Sequence, residues 1–310
     1  MQRNLRPLIR KGSIIIFLFC GSCDQQAQTN AGSANVTDNK TPHADLHSPG
    51  NPYLSIEGIP PPAGYRRVTA GKGAFGKWLR QIPLKKDKTV YLFDGTLKRN
   101  QSAQFAVLNI SVGHTDLQQC ADAVMRLRAE FLYSQKDFAD INFYTQQGTR
   151  LNFREWAGGR RFRLSGDRLV QYVVRGGRTD VPTEGSSCED RDCFSAYLET
   201  VFSYCGTLSL EKQLIPVSSY DNMQIGDVLI RGGAPGHAML VIDIAEDSIG
   251  HKVYLLAQSY MPAQDIHIVK NPSDSELSPW YRIDREEQVV VTPEWIFYRH
   301  QLRTWPKLGE

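Results

Sequence analysis

Apolar residues recur along the chain with the spacing of helices in some segments and of strands in others. In LQQCADAVMRLRAEFLYSQ they fall at Leu117, Cys120, Ala121, Val124, Leu127, Phe131 and Leu132, which predicts a helix with one buried face. Asp116 stands where its N-cap is expected. CFSAYLETVFSYC (193–205) predicts a second helix, with Gly206 in the C′ position. VYLFDG and QFAVLNISV read as two strands joined by a polar loop, and 140–176 alternates as a strand-rich block. The apolar runs at 227–231, 238–244 and 253–259 predict an antiparallel meander, with 265–269 as a fourth strand. WIFYRH near the end reads as a last helix or strand, and no internal repeat is visible. The expected class is α+β, with helices packed on an antiparallel sheet.

The amino terminus changes the picture of where this chain works. Arg3, Arg6, Arg10 and Lys11 precede the apolar run IIIFLF, which is followed by small residues and Cys23. That order predicts a secretory signal over 1–22, and the run is too short to span a bilayer. Gly21 and Ser22 before Cys23 fit a bacterial lipoprotein cleavage site with lipidation at Cys23, although Cys20 stands where that pattern usually has leucine. The competing reading is plain secretion with two incidental cysteines. Residues 23–51 carry almost no large apolar side chains and predict a flexible tether, leaving 52–310 as one α+β domain. Past the signal, 32 of the 36 basic residues remain against all 33 acidic ones. That balance, near −1, removes the basic footprint nucleic-acid binding needs.

Within the domain, GKGAFGKW at 71–78 nearly spells a phosphate-binding loop, but Trp78 replaces the Ser or Thr that would hold Mg²⁺. It reads as a glycine-rich turn. In GDVLIRGGAPGHAMLVID a histidine opens an apolar strand, and the next strand ends in Gln258 and Ser259. A Cys–His hydrolase needs a thiol at a helix N-terminus, where the dipole lowers its pKa, an imidazole within reach, and a polar group orienting the ring. His237 and Gln258 supply the last two. A structural histidine is the plainer alternative. In SYMPAQ, Tyr260 and Gln264 are expected at a pocket rim facing a polar ligand, or else in a tight structural loop. Asp265 and His267 alternate on one strand, but no third ligand accompanies them. No metal and no cofactor are expected.

GDVLI, GHAMLVID and LLAQS together resemble the sheet of the NlpC/P60 and CHAP cell-wall hydrolases, which have a papain-like fold. The resemblance implies a papain-like core in which Asp227 belongs to a turn-forming Gly-Asp pair, His237 is catalytic and Gln258 orients it. LQQCADAVMRLRAEFLY, GTLSLEKQL, MQIGDVLIRGGAPGHAMLVID and AQSYMPAQDIHI are similar to the bacterial "domain of unknown function 4846" family, to which no activity attaches. Two cysteines compete as nucleophile. Cys193 imitates the Asp-Cys-helix of the NlpC/P60 enzymes, but Cys188 is five residues away and a disulfide between them disarms it in an oxidising periplasm. Cys120 opens the other helix, beside Gln118 and Gln119 as oxyanion donors. Choosing it makes 140–176 an insertion into the papain-like core. In a third reading neither is a nucleophile. The leading expectation is therefore a lipid-anchored envelope protein, on the periplasmic face or cell surface, cleaving amide bonds of peptidoglycan peptides. The rival is a non-catalytic envelope lipoprotein that binds a glycan, a peptide or a partner protein.

Overall fold

A computed structural model describes residues 50–70, 75–174, 188–284 and 288–307. The expected signal, the lipidation position Cys23, most of the tether and Gly71 lie outside the described residues. In chain order come strand β1 (Arg66–Arg67), helix α1 (Phe75–Arg80), strand β2 (Gln104–Val107) and helix α2 (Cys120–Ser134). Next are β3 (Asn142–Tyr144), β4 (Arg150–Asn152), α3 (Phe153–Ala157), β5 (Arg160–Ser165) and β6 (Arg168–Val173). Helices α4 (Arg191–Tyr204) and α5 (Thr207–Gln213) lead to β7 (Ile215–Pro216), β8 (Val228–Arg231), β9 (His237–Glu246) and β10 (Lys252–Gln258). The described chain closes with β11 (His267–Val269), β12 (Tyr281–Arg282), β13 (Val289–Val291), β14 (Ile296–Tyr298) and β15 (Leu302–Thr304).

The main sheet is antiparallel and runs β2-β11-β10-β9-β8-β15-β7, with β1 added to β9 and β12 to β10. The class is α+β, as the hydrophobic pattern predicts, and the elements belong to one unit, His47–Glu310. Alternation along β9 sends Ala238, Leu240 and Ile242 to one face, where α1 and α2 pack. Met239 and Val241 point to the other face, covered by Tyr220, Val290, Phe297 and Leu302. A bulge opposite Leu255/Leu256 shifts the register, so Asp243 and Ile244 follow a new phase. No helix among the described residues is long and apolar enough to cross a membrane.

Several sequence expectations need correction. VYLFDG forms only isolated bridges at Tyr91 and Leu92, because the chain reverses at once: Leu92 N–H donates to Thr96 O, and Gly95 takes φ 82°. Within the strand-rich block FREWA is helical, capped by the Asn152 side chain accepting from Glu155 N–H. Helix α2 begins at Cys120, not after Asp116, and is buried on more than one face because α1, α4, α5 and the sheet surround it. Gly206 is extended, with φ −173°, and serves as N-cap of α5 instead of a left-handed helix end. WIFYRH splits into strand β14 and a 3-10 turn.

Asp243 is completely buried in β9. It is paired by Arg67 Nε at 2.6 Å and Arg80 Nε at 2.7 Å. Arg67 also donates to Ile56 O and Ile59 O, and Arg80 to Val68 O and Ile244 O, so one carboxylate ties the amino-terminal segment and α1 to the sheet. Removing the negative partner leaves two sequestered guanidinium groups without a counter-charge. Asp243→Asn is expected to cost about 3–5 kcal/mol in urea unfolding. An unchanged unfolding midpoint contradicts this role.

Candidate active site

At the end of the sheet where β9 begins, a cleft of about 470 Å³ is lined by the first turn of α2, the start of α5, the 233–237 turn, Tyr260, Met261 and Trp295. Its floor carries Cys120 and His237, which are 7 % and 1 % exposed. The turn sets His237 in place: a Cβ on Gly236 would lie 2.3 Å from Gly233 O and 2.5 Å from Thr207 Oγ1, so only glycine fits. Thr207 Oγ1 in turn donates to Gly233 O at 3.2 Å and pins the turn to α5. Cys120 is the first residue of α2, where backbone N–H groups lack helical partners. The backbone N–H groups of Ala121 and of Ala238, the neighbour of His237, act on its sulfur in favour of the thiolate, but more weakly than burial opposes it.

A chain of polar contacts fixes the imidazole. Alternation puts His237, Gln258 and His267 on the sheet face opposite α2, each on a different strand. His237 Nε2 lies 2.7 Å from Gln258 Oε1. The amide oxygen only accepts, so Nε2 carries the hydrogen and Nδ1 keeps its lone pair. Gln258 cannot turn over, because its Nε2 donates to Glu294 Oε2 at 2.8 Å. Glu294 is itself held by Lys98 Nζ at 2.6 Å and Asn100 Nδ2 at 3.3 Å. His267 Nδ1 donates to Asp265 O, and its Nε2 faces Lys98 Nζ and Gln258 Nε2, each at 3.3 Å. The rings of Tyr260, Trp295 and Phe297 surround His237 at 4.8, 5.3 and 5.8 Å.

Burial dominates the electrostatics. It lowers His237 to about 4, helped by the Lys98 charge and opposed by the Gln258 hydrogen bond. His267 falls to about 3 for the same leading reason, with Lys98 adding to it. The Cys120 thiol is raised to about 11 by burial first and by Asp122 second, so the helix terminus does not lower it as the sequence suggests. Asp122 is itself pushed well above the usual carboxylate range by burial, which favours its neutral form and weakens that repulsion. The resting pair is therefore thiol and neutral imidazole. Among the described residues no hydrogen bond joins Cys120 to His237, and none is made to His237 Nδ1.

The structure gathers Gln119, Cys120, His237 and Tyr260 at one cleft, with Gln258 directly behind. Gln119 Nε2 is turned to Asp116 Oδ1, and Gln118 instead accepts from Arg126. Cys193 is withdrawn as a nucleophile, because it is bonded to Cys188 in a disulfide. Ser259 and Gln264 are buried outside the lining: the single Ser259 hydroxyl hydrogen lies between Gln118 O and Gln264 O, tying the segment that leads into α2 to the 259–264 loop. Asp227 is a turn residue, its carboxylate accepting from Gln224 N–H while burial raises it to about 6. Asp265 is occupied by Lys85, and no three metal-ligating side chains converge among the described residues. Sequence reasoning missed Trp295, which packs on His237, and Lys98 and Glu294, which act on it through Gln258, all from distant segments with no local signature. It also missed Cys205, a second free thiol on the cleft, raised to about 12 by burial.

Fold and cleft together define an α+β protein with a large antiparallel sheet and a buried Cys, His and Gln cluster at the start of one strand. Residues 56–304 match the family model described as "Domain of unknown function (4846)", and the chain belongs to that family. Neither the curated proteins nor the solved structures contain a match to it.

The depressed His237 makes stability depend on pH. The folded protein protonates it near 4 and the unfolded chain near 6.5, so between them the unfolded state holds more protons. The stability from neutral His237 is present above 6.5 and lost as pH falls toward 4. Relative to His237→Gln, the wild type should lose roughly 3 kcal/mol in urea unfolding across that window. Parallel pH profiles of the two proteins contradict a neutral buried imidazole.

Proposed function

We propose that the protein is a lipid-anchored cell-envelope enzyme with a papain-like core. Its proposed reaction is hydrolysis of amide bonds in peptidoglycan peptides. The observation that carries the reading is a histidine whose Nε2–H is committed to Gln258, leaving Nδ1 as a base in the cleft that holds the Cys120 thiol at a helix start. Support for the papain-like arrangement comes from α2 packing on β9 and β10, the strands that bear His237 and Gln258. The Cys188–Cys193 disulfide fits an oxidising compartment outside the cytoplasm, in line with the signal and Cys23.

In this mechanism Cys120 Sγ attacks the carbonyl carbon as its proton passes to His237 Nδ1. The first-turn N–H groups of α2 face the developing oxyanion. The C–N bond then breaks, and His237 returns the proton to the leaving amine. Water, deprotonated by His237, releases the acid from the thioester and restores the thiol. With thiol and imidazole both neutral at rest, the proton moves during attack and no thiolate is stored beforehand.

A second reading keeps the cleft for binding only. The observation favouring it is the neutral thiol with no hydrogen bond to His237, which lies on the opposite sheet face from α2. Iodoacetamide labelling of the native full-length protein, mapped by mass spectrometry, separates the two. The enzyme reading expects Cys120 to label before Cys205, with a neutral-pH rate that falls about ten-fold or more in His237→Ala. Release of free amine from peptidoglycan stem peptides should vanish in Cys120→Ala. Labelling only in denaturant, or at Cys205 alone, leaves the binding reading.

A further inference from the structure

Helix α5 borders two clefts. Thr207 lines the one with Cys120, whereas Ser209, Lys212 and Gln213 line a second, of about 460 Å³. Arg128 of α2 belongs to that second cleft and is only 9 % exposed. Its guanidinium lies over Phe75, Phe131 and Trp305, at 5.2, 5.6 and 5.5 Å from the ring centres. Among the described residues it makes no hydrogen bond and no ion pair; Asp140, also on the lining, acts on it only at longer range. The indole N–H of Trp305, on the same wall, is buried without a partner.

A sequestered guanidinium normally finds a carboxylate or several carbonyl oxygens, because its donors lose water on burial. Three aromatic faces offset part of that cost and hold the group still, yet they satisfy none of its in-plane N–H donors. Burial lowers Arg128 to about 10, so it remains a cation at neutral pH. The arrangement is a rigid fork of unused donors at a cavity, with exposed Lys212 and Lys307 adding positive charge at its rim.

We propose that this second cleft binds the carboxylate of a small molecule or peptide, received by the Arg128 fork beside the Trp305 ring. A planar carboxylate matches the fork in a bidentate pair. Asp140 on the same lining disfavours a dianion such as phosphate, and Leu132, Phe143 and Trp305 suit an apolar substituent beside the acid. The site stands independently of any chemistry at Cys120.

The test follows the Trp305 indole N–H resonance of the full-length protein, assigned with Trp305→Phe, during titration with N-acetylalanine, its neutral amide or inorganic phosphate. Binding predicts a saturable shift with N-acetylalanine at millimolar concentration and none with the amide. In Arg128→Met the apparent affinity should fall about ten-fold or more. Lys212→Ala, on the exposed rim, should weaken binding by a few-fold in a protein that stays folded. The proposal is overturned by equal shifts with acid and amide, by no shift with N-acetylalanine, by a response to phosphate alone, or by unchanged affinity in a folded Arg128→Met.

Discussion

Strand β9 is buried along nine of its ten residues, and the rest of the fold answers that constraint. A strand so hidden needs cover on both faces. Helices α1 and α2 cover one, and the β13–β14 hairpin with the carboxy-terminal segment covers the other. Two buried polar side chains nevertheless sit in it, six residues apart, and each must be satisfied without water. Asp243 is met by two arginines that anchor the amino-terminal segment. His237 is met by a line of donors and acceptors that gathers residues from across the sequence.

The second solution is the more informative. From Lys98 through Glu294 and Gln258 to His237, each contact removes a freedom of the next: the carboxylate fixes the amide, and the amide fixes the ring tautomer. A single tautomer is imposed on His237 through its one hydrogen bond, and among the described residues no protein group bonds the other nitrogen, an ordering that suits proton transfer. The same burial that sharpens the geometry keeps imidazole and thiol uncharged at rest. Any catalysis must then draw on ligand binding to bring thiol and base together.

Much of this was legible in the sequence. The meander, the long helix and the positions of Cys120, His237 and Gln258 follow from apolar spacing and from polar residues interrupting it. The family resemblance read from LQQCADAVMRLRAEFLY and its companion segments agrees with the match over 56–304. What escaped was non-local. Glu294 and Lys98 lie in unremarkable polar stretches, and only the closure of the sheet brings them to Gln258. The sign of the Cys120 shift also escaped, because a helix terminus is visible in sequence and the depth of burial is not. Arg128 reads as one more charged residue on a helix until three rings are seen to enclose it.

The central claim is that Glu294 and Gln258 hold His237 as a neutral ring with hydrogen on Nε2 and a free Nδ1. The most direct measurement is the imidazole nitrogen resonances of His237 in the native protein near neutral pH, compared between wild type and Glu294→Gln. The account predicts a neutral Nε2–H tautomer in the wild type and a mixture of tautomers once the amide of Gln258 is free to turn. A charged ring, or hydrogen resident on Nδ1 in the wild type, contradicts it.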